Sequence, residues 1–179
     1  MNKRWAVFIS GQGSNLRAIL QSPELAKVVL VVSSKKSAYG LVRARRLGIP
    51  TMILPKLVDW EVLDTRLRDA GVERIFLAGF MKIIPQSFVE KWPHKMLNLH
   101  PSLLPKYPGL HSIERAYSDG EAIGVTVHEV IPELDAGPIV LQKKLIEADQ
   151  VRLKNLEECE LITHIGEQRI VREALKKWR

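Results

Sequence analysis

Arg4-Trp5-Ala6-Val7-Phe8-Ile9-Ser10 runs directly into Gly11-Gln12-Gly13-Ser14-Asn15, after which Leu16, Ile19 and Leu20 recur at helical spacing. The order is strand, glycine turn, helix. Working outward, Val28 to Ser33 reads as a second buried strand, Gly40 to Leu47 as an Arg-rich helix and Thr51 to Leu54 as a short third strand, with Asp59 placed to cap a helix running through Ala70. A βαβαβα succession predicts a parallel sheet. Glu73 to Ala78 adds a strand that leads into Gly79-Phe80-Met81-Lys82, Pro85 to Trp92 reads as a short helix, and Met96 to Leu99 as the next strand. Gly124 to Val130 and Pro138 to Leu145 read as late strands with antiparallel character. From about Arg152 to Trp178 the chain reads as helical, with Leu153, Leu156, Leu161, Ile165, Val171, Leu175 and Trp178 as its apolar stripe. No linker separates a second domain, so the 179 residues are expected to form one domain.

The bulk numbers narrow the function classes. With 46% hydrophobic and 26% charged residues the composition is globular. The longest apolar runs, such as Val28-Val29-Leu30-Val31-Val32, fall far short of the ~20 residues that span a bilayer. Trp5 to Ser10 is also too short for a signal-peptide core, so a cytoplasmic protein without membrane contact is expected. The single cysteine, Cys159, excludes an intramolecular disulfide and fits a reducing compartment. A net charge of +7 suits anionic ligands, but no aromatic residues interleave with the basic clusters as they would on a nucleic-acid stacking surface.

Three constellations carry chemistry. In an open α/β sheet the first turn is the usual phosphate site, and Gly11, Gln12, Gly13, Ser14 and Asn15 stand there. Their N–H groups suit one phosphate monoester, since the third glycine of the dinucleotide fingerprint and the lysine of a Walker loop are both missing. A tight turn capped by Ser14 or Asn15 explains the same residues. In Asn98-Leu99-His100-Pro101 the strand period of two puts an amide and an imidazole on one side, and the prolines that follow force the chain out of the sheet. The plainer account is a loop with a hydrogen-bonding histidine. Asp135, in the turn-rich Glu129 to Pro138, is either a turn residue or the carboxylate that holds His100 and raises its pKa. His94, His100, His111, His128 and His164 are scattered, the pair His164 and Glu167 alone has helical ligand spacing, and no metal is expected. No nucleophile elbow is present, which favours direct attack by a substrate amine over a covalent enzyme intermediate.

In this order the segments resemble the folate-dependent formyltransferases that act on glycinamide ribonucleotide. The likeness covers about Ala6 to Ile170 and rests on Gly11 to Asn15, Leu77 to Ile84, Asn98 to His111, Gly124 to His128 and Leu134 to Pro138. It implies a Rossmann-like three-layer α/β/α fold with a mostly parallel central sheet and antiparallel late strands. It also implies a single formyltransferase domain over residues 1–179. By resemblance, Gly11, Gln12, Gly13, Ser14 and Asn15 surround the ribonucleotide phosphate, His164 and Glu167 contact the same substrate, and Met81, Lys82, Ile83 and Ile84 with Asn98 line the folate pocket. Asn98, His100 and Asp135 match the catalytic trio. The implied reaction is attack of the glycinamide amine on the formyl carbon of 10-formyltetrahydrofolate, in purine biosynthesis, by a monomer or homodimer. Three departures stand out: a shorter Pro55 to Ala70 segment, with Trp60 near the place where relatives often have a folate-contacting arginine, Ala136 in the loop after Asp135, and an end soon after the last helix.

Two other enzymatic acceptors, methionyl-tRNA and an amino sugar nucleotide, share the trio. Pro108-Gly109 stands where the tRNA enzyme is expected to carry Arg-Gly, and 179 residues leave no room for its added domain. A non-catalytic phosphometabolite or folate binder is the reading from another class, and the complete trio argues against it.

Overall fold

The computed structural model describes residues 3–178. Their contacts group into two compact units, Met1–Asn98 and Leu99–Arg179.

The first unit holds β1 (Arg4–Ile9), α1 (Ser14–Leu20), β2 (Lys27–Ser33), α2 (Tyr39–Arg46), β3 (Thr51–Ile53), α3 (Trp60–Asp69), β4 (Arg74–Leu77), α4 (Gln86–Val89) and most of β5 (Met96–His100). The strands run parallel in the order β3-β2-β1-β4-β5. Trp5 to Ile9 in β1 and Ile75 to Leu77 in β4 are all buried. Continuous apolar strands of this kind need cover on both faces, which the crossover helices supply. After β3 the chain returns to the other side of β1, so the strand order reverses between β1 and β4. In open α/β sheets ligands bind beyond the carboxyl ends of the strands at such a reversal. Asp59 caps α3 as its sequence implies, its Oδ1 accepting from Glu61 N and Val62 N at 3.0 Å each. Asp64 on that helix accepts from the buried indole of Trp92 at 2.8 Å and from Arg68 at 3.0 Å.

The second unit contains α5 (Ser112–Asp119), the antiparallel pair β6 (Ile123–Glu129) and β7 (Ile139–Ile146), α6 (Ala148–Val151) and α7 (Leu156–Lys177). Helix α5 has no counterpart in the sequence reading. It starts at His111, whose φ of 56° is left-handed and whose side chain makes no cap bond, so the usual start signal is missing. Helix α7 begins at a capping box formed by Asn155 and Glu158.

The structure buries Val171 and Leu175 of the expected stripe but corrects Leu153, Leu161 and Ile165. Leu153, Leu161 and Ile165 are exposed, whereas Cys159, Thr163, Gly166, Glu167, Ile170, Val171, Ala174 and Leu175 are buried. Small residues enter this face where the helix packs closely on the hairpin: a Cβ at Gly166 would lie 2.3 Å from Leu145 Cδ1. Hydrophobicity marks the bulky residues; here the close approach selects the small ones.

Candidate active site

Side-chain alternation along β6 brings Thr126 and His128 to one face. Thr126, fully buried, donates to the Ser102 carbonyl at 2.7 Å and accepts from Leu104 N at 3.3 Å and Gln142 Nε2 at 2.9 Å. Gln142 also donates to the Leu104 carbonyl at 2.9 Å, and Ser102 Oγ to the Lys106 carbonyl at 2.7 Å. These bonds fasten the proline-rich segment after β5 to the β6–β7 hairpin.

The fastened segment surrounds His100. Its Nε2 donates to the Tyr107 carbonyl at 2.8 Å, and its Nδ1 lies 3.4 Å from Asp135 Oδ2. The same carboxylate receives the Gly109 N–H at 2.8 Å and faces His128 Nε2 at 3.5 Å through Oδ1. His128 in turn donates from Nδ1 to the Glu129 carbonyl at 2.9 Å. The side chains of His100, Asp135 and His128 are 7%, 7% and 3% exposed. Asp135 therefore has the partner expected for it, and a second imidazole in His128, one of the histidines that lie scattered in the sequence. The available signal was the alternation of Thr126 and His128 on one strand face. Asn98 stands two residues before His100 on β5.

The electrostatics of the group differ from expectation in one respect. Burial pushes the Asp135 carboxyl up, but bonds from His128 and Gly109 and the neighbouring His100 charge outweigh it and hold the group at about 2. For His100 burial is the largest influence and lowers its pKa, against the upward pull of the Tyr107 carbonyl and Asp135; the charges of His128 and Arg115 add to the lowering. The carboxylate raises the imidazole as the sequence implies, yet the net direction is down because desolvation of the cation is larger.

In the first unit, Gly11 to Asn15 follows β1. Gly13 caps α1 with φ 70°, and neither Ser14 nor Asn15 is the cap. A Cβ on Gly13 would lie 2.7 Å from Gly40 Cα, so the two chain segments approach backbone to backbone. The loop is held by Gly40 N to Gly11 O at 3.2 Å and by Arg43 Nε to Gln12 O at 3.0 Å. Gln12 is exposed, Ser14 half-buried and Asn15 buried. Beyond β4, Met81 N donates to Ser10 Oγ at 2.8 Å, which joins the two loops flanking the strand reversal. Met81 and Ile83 are exposed apolar side chains, and Lys82 Nζ donates to the Lys56 carbonyl at 2.9 Å. Trp60 packs on Phe88 with ring centroids 5.1 Å apart. On α7, exposed His164 meets buried Glu167 at 3.3 Å, and this bond raises the histidine's pKa against the effect of burial. Among the described residues no group of three or more His, Cys, Asp or Glu side chains is arranged to hold a metal ion, and no helix is long and apolar enough to cross a membrane.

The formyl transferase family profile matches residues 3–158. The chain belongs to the formyl transferase family. It is 42% identical over 154 residues to phosphoribosylglycinamide formyltransferase of Haemophilus influenzae, covering 80% of this chain and 73% of that protein. It is 44% identical over 153 residues to the trifunctional purine biosynthetic protein adenosine-3 of Drosophila pseudoobscura, covering 78% of this chain but only 11% of that much longer one. The crystal structure of phosphoribosylglycinamide formyltransferase from Anaplasma phagocytophilum superposes with a TM-score of 0.92 at 38% identity, covering 98% of this chain and 86% of that one. The mostly parallel sheet with antiparallel late strands is thus the fold of this formyltransferase family.

Proposed function

We propose that this formyl transferase moves the formyl group of 10-formyltetrahydrofolate to the amino group of 5'-phosphoribosylglycinamide, as the names of its relatives suggest, in purine biosynthesis. The observation that carries the residue assignment is the buried carboxylate of Asp135, shared by His100 and His128.

In this reading the glycinamide nitrogen attacks the formyl carbon. A carbon–nitrogen bond forms and the carbonyl electrons move to oxygen. Asn98 donates from its amide to that oxygen. His100 starts neutral because of its burial and takes up the amine's surplus proton, to relay it onward, as negative charge develops beside it. Acceptors face both ring nitrogens, the Tyr107 carbonyl and Asp135, and so favour the doubly protonated ring. The amine's surplus proton passes to the leaving folate nitrogen, whose bond to carbon then breaks, with His100 as the acid and Asp135 keeping the ring in place.

Gly11, Gln12, Gly13, Ser14 and Asn15 hold the ribonucleotide phosphate, with Gly11, beside which no atom lies within 4 Å of where a Cβ would stand, allowing close approach. Glu167, fixed by His164, accepts from the same substrate. The exposed Met81 and Ile83, with the backbone of Lys82 and Ile84, suit the flat face of a pteridine. Trp60 is engaged in packing on Phe88 and offers no replacement for an arginine, so folate recognition rests on Met81 to Ile84. The reading entails small-molecule partners, no metal, no nucleic acid, and a cytoplasmic monomer or homodimer.

The test is spectrophotometric formyl transfer from a 10-formyl folate with glycinamide ribonucleotide, glycinamide alone or no acceptor. Turnover that requires the ribose phosphate is the expected result; turnover with neither acceptor, from folded protein, overturns the assignment.

A further inference from the structure

His100 Nε2 is held by a carbonyl that belongs to an unusual residue. Tyr107 has φ 58°, in the left-handed region that bulky side chains avoid. Nothing in Tyr107 itself favours that backbone, so its surroundings must impose it. Two side chains of α5 do so. Arg115 and Asp119 are four residues apart and share a helix face. Asp119 Oδ2 accepts the Tyr107 hydroxyl at 2.8 Å, and the Arg115 guanidinium carbon lies 5.6 Å from the Tyr107 ring centre while the same group donates to the Pro108 carbonyl. The ring is gripped at its face and at its tip, and the carbonyl on the other side of the residue points at His100.

We propose that Tyr107, clamped by Asp119 and Arg115, is a positioning residue whose carbonyl fixes which nitrogen of His100 carries the resting proton and how the ring lies toward Asp135. Without the clamp, the left-handed backbone at Tyr107 relaxes, the carbonyl moves off Nε2, and the imidazole is free to change tautomer and turn. The inference rests on the catalytic role proposed for His100, but its test does not require that role. Burial and the phenol's bond to Asp119 push the Tyr107 hydroxyl up to about 12, so it remains a donor at every pH at which the protein is handled. The groups of this unit whose charge bears on His100 are Asp135, His128 and Arg115, and the variants chosen leave all three in place.

The experiment is a pH titration of the histidine ring nitrogens by NMR on the full chain, with His100 assigned by its loss in His100→Gln. In Tyr107→Phe and Asp119→Ala the His100 midpoint is expected to fall by roughly half a pH unit, because a carbonyl that favours the cation has moved away, and the Nε2–H tautomer to lose its dominance. Asp119→Asn, which keeps an oxygen to accept the phenol, is expected to restore both. If formyl transfer is also present, kcat falls about five- to tenfold in Tyr107→Phe and Asp119→Ala with KM for both substrates within twofold. Folded Asp119→Ala with wild-type His100 shifts and midpoint overturns the clamp, whether or not the protein transfers formyl. A protein inactive with every acceptor but showing the NMR change keeps the clamp and removes the proposed reaction.

Discussion

Replacing Asp135 by Asn tests the centre of the site with little backbone disturbance, since Asp135 sits at φ 51°, where Asn is among the best-tolerated residues. The carboxyl is held at about 2 against an ordinary 3.8. At about 1.36 kcal/mol per pH unit, the charged form stabilises the fold by roughly 2 kcal/mol. The sign follows from the depressed value. This stability is fully present above the unfolded pKa near 4, and is lost as pH falls through the folded value near 2. Asp135→Asn should therefore melt about 4–8 °C below wild type at pH 7, with the gap closing between about pH 4 and 2. Turnover should fall by about 10²- to 10⁴-fold, the usual range for losing a group that orients an acid–base residue. Calorimetry across pH 2–8 and the formyl-transfer assay provide the readouts. A variant with the wild-type melting temperature at pH 7 and kcat within threefold would exclude both roles, because Asp135 could then neither stabilise the buried imidazoles nor orient them.

Asn98→Ala and His100→Ala should each lower turnover by about 10²- to 10³-fold while circular dichroism shows an intact fold; near-normal rates in either would remove that residue from the mechanism. Gly13→Ala places a β-carbon 2.7 Å from the Gly40 backbone at φ 70°, so it should cost about 1–3 kcal/mol in urea denaturation and raise KM for the ribonucleotide. Glu167→Gln removes the main cause of the raised His164 pKa, so the His164 NMR midpoint should move down. Stability linked to that raised pKa is present below the unfolded value near 6.5 and is lost as pH rises through the folded one. The wild-type advantage over Glu167→Gln should accordingly shrink above about pH 7.

The first unit was largely legible because its signals are local. Most strands are short apolar runs closed by a turn or breaker residue, such as Gly11 after β1, Pro55 after β3 and Gly79 after β4, and Asp59 announces α3 by its own chemistry. Boundaries moved by only a residue or two for most strands, while the reading of Pro85 to Trp92 contracted to the four residues of α4. The second unit was less legible because its packing depends on what the chain meets. The start of α5 is encoded in a left-handed His111 rather than in a cap, and the buried face of α7 includes Gly166, which fits closely against Leu145 of the hairpin. A hydrophobic stripe identifies a helix; it does not identify the face when small residues make the contact.

The site divides along the same line. Asn98 and His100 could be read because two residues of one strand fix their relation, and Asp135 because its loop is short and turn-rich. His128 and Tyr107 could not, because each matters only through a side chain on another segment: Tyr107 O on His100 Nε2, and His128 on the carboxylate that His100 also faces. That distinction has a mechanistic consequence. A carboxylate beside a histidine implies a charged histidine when read in sequence, yet burial of the ring reverses the net direction and favours the neutral form of His100. A neutral ring with acceptors at both nitrogens is poised to become an acid only when negative charge appears nearby. On the proposed reaction, protonation of His100 is then coupled to formation of the tetrahedral oxyanion, and kcat should show a less acidic pKa for His100 than the free protein does. A kcat profile whose acidic limb matches the NMR midpoint of the free protein would separate the two events and leave His100 a ground-state contact.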